Sequence, residues 1–270
     1  MDFDITSFNE TIKKLEGYVD DIGKQISTGI PNARSAALDV DGVDWVPGLV
    51  SVIKKCAEKM IEVCKWVWDK IVDILKSAWA PVTMFTRALD WYDVKGTASG
   101  VQGTLDPNNL EAIRLWKGAA QVSYMRTATT QSAAAGKVAD AGDKTALVLV
   151  TAAASGLTFY AGMALITYQF IAACVAEIGL LCTGFGAPLS LASFLADAGI
   201  TTAAIWGAVA GIATLVGGQA TAFANINSTV SDNSGFPQGA DGKKHWPESF
   251  ANSFGDASVD GDKESKWRLN

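Results

Sequence analysis

Between Thr145 and Ser231 the chain carries only two charged side chains, Glu177 and Asp197, and no other feature constrains its fold so much. Residues 145–176 and 198–231 hold no charge, and each run exceeds the roughly 20 residues that a helix needs to cross a bilayer. Gly184-Phe185-Gly186-Ala187-Pro188 separates the runs, combining residues that accept unusual backbone angles with one that breaks helices. The expectation is a long apolar helical hairpin folded back near Gly186. It suits either a lipid bilayer or the centre of a soluble bundle.

Such a bend brings Glu177 and Asp197 to similar heights on opposite arms, an ionisable pair. A carboxylate in mid-bilayer costs about 2.5–3.5 kcal/mol on insertion scales. An inserted hairpin is therefore expected to hold its tip, Glu177 to Asp197, in water, with about Val150–Ala172 and Ile200–Ala222 in lipid. Gly199, Ala203, Gly207 and Gly211 recur every four residues, a small-residue stripe of the kind that lets membrane helices approach closely. Trp206 and Tyr168 suit either interfacial anchoring or packing.

The preceding residues also read as helix. Phe8, Ile12, Leu15, Val19, Ile22 and Ile26 alternate spacings of four and three, and Ser7 with Glu10 suits a capping box. Residues 29–47, with Pro31 and Pro47, read as a connection. A second stripe runs through Val50, Ile53, Ala57, Met60, Cys64, Val67, Ile71, Ile74 and Ala78. Pro81 can open a third helix that Gly96, Gly100 and Gly103 weaken and then end, with a turn at Asp106-Pro107-Asn108. From Asn109 to Lys144 a helix rich in Ala, Ser, Thr and Gln returns. No useful strand-like alternation occurs, so the fold class is all-α, an elongated helical bundle. Its parts are an amphipathic helix and linker at 1–47, a bundle at 48–144, the apolar hairpin at 145–231, and a disordered acidic tail at 232–270.

Catalysis finds little support. Triads and most zinc sites use histidine, and the chain has only His245. No glycine-rich strand-to-helix loop offers a phosphate site, so neither catalytic residue, cofactor nor metal is expected. Asp256 to Asp262 resembles the start of a calcium loop, but its twelfth position is Trp267 where a bidentate Glu is needed. A net charge of −6 without a basic face disfavours nucleic acid. Cys56 and Cys64, like Cys174 and Cys182, are eight residues apart, about 12 Å along a helix, too far for a local disulfide. They read as buried thiols, with a cross-helix bridge as the alternative. The acidic start, Met1-Asp2-Phe3-Asp4, lacks the pattern of a cleavable signal peptide.

One segment carries more than composition: Trp91-Tyr92-Asp93-Val94, Leu105 to Leu115, and then Trp116-Lys117-Gly118-Ala119-Ala120 with Tyr124. It resembles the WXG family of type VII secretion proteins of Gram-positive bacteria, especially the longer actinobacterial members. The resemblance covers residues 81–144 and, more loosely, the apolar helices and the Phe236-Pro237 and Trp246-Pro247 tail. It implies that Trp116 and Gly118 lie at the bend of a helical hairpin, stabilising it. It also implies a secreted or envelope-associated protein that acts through a helical partner or a second copy, and the charge-free arms add the expectation of contact with membrane lipid. Many such substrates carry a tyrosine followed four residues later by Asp or Glu. None of the five tyrosines here does, so either export depends on a partner or the chain is not exported.

Overall fold

The computed structural model describes residues 4–111, 115–248 and 267–269, without the side chains of Trp116, Ala119, Ala120 and 267–269. The described chain is all-α apart from two three-residue strands. In order it comprises α1 (Ile5–Lys24), α2 (Ile30–Leu38), α3 (Leu49–Leu75), α4 (Ala80–Thr104), β1 (Trp116–Gly118), α5 (Ala119–Cys182), α6 (Ala187–Ser231) and β2 (Trp267–Leu269).

Several boundaries differ from the sequence expectation. The N-cap of α1 is Asp4, whose carboxylate accepts the amide hydrogens of Thr6 and Ser7, so Ser7 with Glu10 is not the capping box. The expected connection at 29–47 begins as helix. A π-helical turn, Gln25–Gly29, leads directly into α2. Proline inside an α-helix clashes with the carbonyl four residues back, and the wider turn lies immediately before Pro31. Residues 119–144 and 145–182 form one continuous helix, because nothing between them breaks it. Gly142 serves close packing instead: a Cβ there would meet Trp91 O and Lys95 N at 3.2 Å.

The chain divides into two compact units, each built from two stretches of sequence. The first comprises residues 1–84 and 151–217. In it α1 runs parallel to α5, as Phe8 meets Tyr160 and Tyr18 meets Tyr168, ring centroids 5.5 and 6.1 Å apart. Helix α3 runs antiparallel to α5, with Cys64 beside Cys174 and the Tyr160 hydroxyl donating to Ile74 O at 3.0 Å. It runs parallel to α6, with Cys56 near Ser190 and Lys70 over the Trp206 ring. The result is a four-helix bundle of two antiparallel hairpins. Phe8, Leu15, Ile22, Ile53, Met60, Ile71, Met163, Phe170 and Phe194 fill its core. Fully burying such side chains stabilises the fold by about 1.5–3 kcal/mol each.

The second unit comprises residues 85–150 and 218–270. Here α4 and α5 pair antiparallel: Lys95 Nζ lies 2.6 Å from Asp143 Oδ1, and Ser132 Oγ donates to Gln102 O at 2.9 Å. Their buried contacts are mostly alanines, among them Ala88, Ala98, Ala128, Ala135 and Ala139. Small side chains let these backbones approach closely.

The described part of the expected disordered tail is ordered loop. Gly239 N donates to Lys243 O at 2.8 Å, Gln131 Nε2 donates to Pro247 O at 2.7 Å, and Phe236 packs near Trp246. Turn chemistry at Asp232, Asp241 and Gly242 and these two aromatics hold residues 232–248, where Lys243 and Lys244 offset two of the three acids, so the net charge is lower than a disordered acidic segment requires. The calcium-loop-like run at 256–262 lies outside the described residues.

Candidate functional site

The apolar hairpin bends where the sequence places it, but in a different register. Helix α5 ends at Cys182 and α6 starts at Ala187, with Gly184 at φ +68°. A Cβ on Gly184 would come within 2.8 Å of Ala37 O and 2.9 Å of Val43 Cγ2, so glycine is required both for the turn and for its seat on the α2–α3 connection. Gly186 does not take a positive φ but is equally tight, because a Cβ on it would come within 2.6 Å of Leu180 O and Thr183 Oγ1. Thr183 Oγ1 accepts the Gly186 amide at 3.0 Å, and Pro188 sits in the first turn of α6, where no N–H is needed.

The expected Glu177–Asp197 pair does not fit this register. Glu177 O accepts from Ser190 Oγ at 2.9 Å, so Ser190 stands at its height. Asp197 lies seven residues further along α6, about 10 Å away along the axis. Nor does Glu177 project into water: only 7% exposed, it continues the inward seam of Phe170, Cys174 and Leu181, and its Oε2 has no hydrogen-bond partner. The spacing of four, three and four through these residues assigns Glu177 to the core. The absence of neighbouring charge makes the carboxyl group conspicuous in the sequence and masks that phase.

The outer face of α6 is the reverse of its inner one. Inward, Ala187, Ser190, Phe194, Ala198, Thr201 and Ile205 are buried. Outward, Ile200, Trp206 and Val216 are 69, 55 and 63% exposed, and Leu189, Leu195 and Leu215 are exposed as well. Gly199, Gly207 and Gly211 share this open side, with nothing within 4 Å of a Cβ placed on any of them. Both α5 and α6 are long and apolar enough to cross a membrane, and only 11% of the most apolar stretch of α6 is buried. Lys70 Nζ lies 5.9 Å from the Trp206 ring centroid, and half-exposed Tyr168 lies against Tyr18.

The second unit places Trp116 to Gly118 in the connection between α4 and α5, at the bend of their hairpin. They form a strand there rather than a plain turn: Trp116 to Gly118 pair antiparallel with Leu269 to Trp267, and Gly118 has φ +113°. Tyr124 lies on the first turns of α5, 38% exposed. Sequence reasoning missed a cavity of about 830 Å³ lined by Arg126, Thr130, Phe236, Asp241, His245 and Trp246. The sole histidine is there, Nε2 2.8 Å from Asp241 Oδ1. The hydrogen bond with His245, and then the one that Asp241 accepts from the Lys243 amide, hold the Asp241 carboxyl below the usual range. Among the described residues no three His, Cys, Asp or Glu side chains gather in a metal-binding group.

The chain matches no family model, no curated protein and no solved structure.

Proposed function

We propose that this chain is a non-enzymatic helical protein that engages a lipid membrane through the α5–α6 hairpin. The observation that carries the reading is the outer face of α6: residues 198–231 lack any charge, and Ile200, Trp206 and Val216 stand open to the surroundings. A surface helix in water normally puts polar side chains on that face, and a large bare apolar patch marks a partner or lipid.

Flotation of the full chain with phosphatidylcholine vesicles tests this directly, beside the double variant Ile200→Asp and Val216→Asp. The native chain should rise with the lipid, and the variant should fall by at least about tenfold, since each buried carboxylate costs about 2.5–3.5 kcal/mol in lipid. Unchanged circular dichroism is expected, because both positions are exposed. Native protein that stays in the bottom fraction, or a variant that rises equally well, sinks the proposal.

The route to that membrane is a second, compatible reading: type VII secretion as a WXG-like substrate or partner, which places the protein outside the cell or on its envelope. It is favoured by the position of Trp116 and Gly118 at the bend of the α4–α5 hairpin. Comparing culture supernatants from a host with and without the secretion ATPase tests it. Equal amounts in both would defeat this route while leaving the membrane reading intact.

A further inference from the structure

Cys64 on α3 and Cys174 on α5 face each other across an antiparallel helix pair, their Sγ atoms 3.6 Å apart and both thiols buried. A disulfide requires about 2.05 Å, so closure needs an approach of about 1.5 Å, which two side-chain rotations can share. The other cysteines have no such neighbour: Cys56 Sγ lies 3.9 Å from Met60 Sδ and from Ser190 Oγ, and Cys182 is half-buried near the end of α5. The pair is 110 residues apart, so a bridge would join helices from the two separate hairpins of the first unit.

We infer that Cys64 and Cys174 are a site of disulfide formation that ties the apolar α5–α6 hairpin to α3. The oxidant is a small disulfide of the glutathione class. One cysteine thiolate attacks it, forming a mixed disulfide and releasing one thiol. The second cysteine thiolate then attacks the mixed disulfide, closing the Cys64–Cys174 bond and releasing the second thiol. Two protons leave the protein thiols and two electrons pass to the oxidant, which is reduced to two thiols.

Timing follows from the surroundings. The hydrogen bond with Cys174 and then burial push the Cys64 thiol far above the ordinary thiol range, so little of the attacking thiolate exists in the closed bundle. The bridge therefore forms while the chain folds, or when α5 swings away from α3. Once formed, it is shielded from reductant by the same packing. The consequence for membranes rests on the function proposed above. Helix α5 cannot enter lipid without leaving α3, and the bridge forbids that separation.

The experiment uses the full chain, reduced, unfolded and refolded in a glutathione redox buffer. Peptide mapping should show a mass loss of two hydrogens and a linked pair containing positions 64 and 174. Cys64→Ser should abolish that product, and Cys182→Ser should leave it. No 64–174 linkage in the refolded native chain, or a dominant linkage between other cysteines, overturns the site. The bridged and reduced chains are then mixed with vesicles and washed in alkaline carbonate. The bridged form should resist extraction at least about tenfold less than the reduced form, in line with the cost of pulling apart a cross-linked helix pair. The Cys64→Ser, Cys174→Ser double variant should resist equally in both buffers. A bridged chain that resists as well as the reduced one overturns the tether. If the reduced chain also washes off, the membrane reading fails, and the peptide map still decides the disulfide.

Discussion

Helices α3 and α6 run side by side in one bundle and turn nearly equivalent stripes inward, yet their outer faces have nothing in common. Helix α3 presents Lys54, Lys55, Glu58, Lys59, Glu62, Lys65 and Asp69 to solvent. Helix α6 presents Leu189, Leu195, Ile200 and Trp206. The inner stripe decides where a helix packs, and the outer face decides which solvent suits it. Amphipathic α3 is finished when the bundle closes. Helix α6 is packed on one side and still exposes an apolar surface on the other.

The largest expected effect tests whether the two sides of α6 are as different as they look. Phe194 is 1% exposed and lies 6.2 Å, ring to ring, from Phe170, whereas its neighbour Leu195 is 45% exposed. Phe194→Ala should cost about 3–5 kcal/mol through lost burial and the cavity left behind. Leu195→Ala should change stability by no more than about 0.5 kcal/mol. Urea unfolding of both variants without lipid measures the contrast. Equal losses would mean that the outer face is packed in water after all, and the comparison with α3 would fail.

A smaller effect is expected at Glu177 on α5, whose carboxyl group is buried in the same bundle. Its Oε2 lacks a partner, and a buried polar atom left unpaired costs about 1–3 kcal/mol. Glu177→Leu removes that cost and fills the seam between Cys174 and Leu181. It should raise stability by about 1–3 kcal/mol, read as a higher urea midpoint at unchanged slope. A lower midpoint would show that Glu177 has found a partner and that the seam is not apolar in solution.

These two positions also show what the sequence discloses and what it hides. The stripes in α1 and α3 were legible because charge on their outer faces makes the three-and-four phase unmistakable: Leu15, Ile22, Ile53, Met60, Cys64, Val67 and Ile71 are all buried. In α6 and in α5 from Thr145 onward almost no charge marks a face, so phase carries little contrast, and Glu177 was expected in water when it lies in the core. The bend at Gly184 was visible in its glycines and proline. The hairpin register was not, because it depends on Thr183, Ser190 and the contact of Gly184 with Ala37 across the bundle. The Cys64–Cys174 approach was hidden for the same reason: spacing excludes local bridges but cannot align two distant helices. The loop at 232–248 was missed because its order comes from contacts with α5 rather than from any periodicity of its own.

The smallest effect belongs to the helix ends, where charged and uncharged helices should respond to acid differently. Helix α1 begins at Asp4, whose carboxylate accepts from the Ser7 hydroxyl and from the Thr6 and Ser7 amides, and these bonds hold it below the usual carboxylate range. A carboxyl group with a lowered folded-state pKa stabilises the fold above its ordinary value. That contribution fades as pH falls past about 4 and is gone below the folded-state value. Asp4→Ala should therefore lower the thermal midpoint slightly at pH 7, and the gap from the native chain should close as acid is added. Helix α6, which starts after Gly186 with only Thr183 nearby, has no titrating group at that end. Thr183→Ala should shift the midpoint by the same amount at pH 7 and in acid. If its gap closed with pH as that of Asp4→Ala does, the acid response would belong to the bundle as a whole rather than to the charged end of α1.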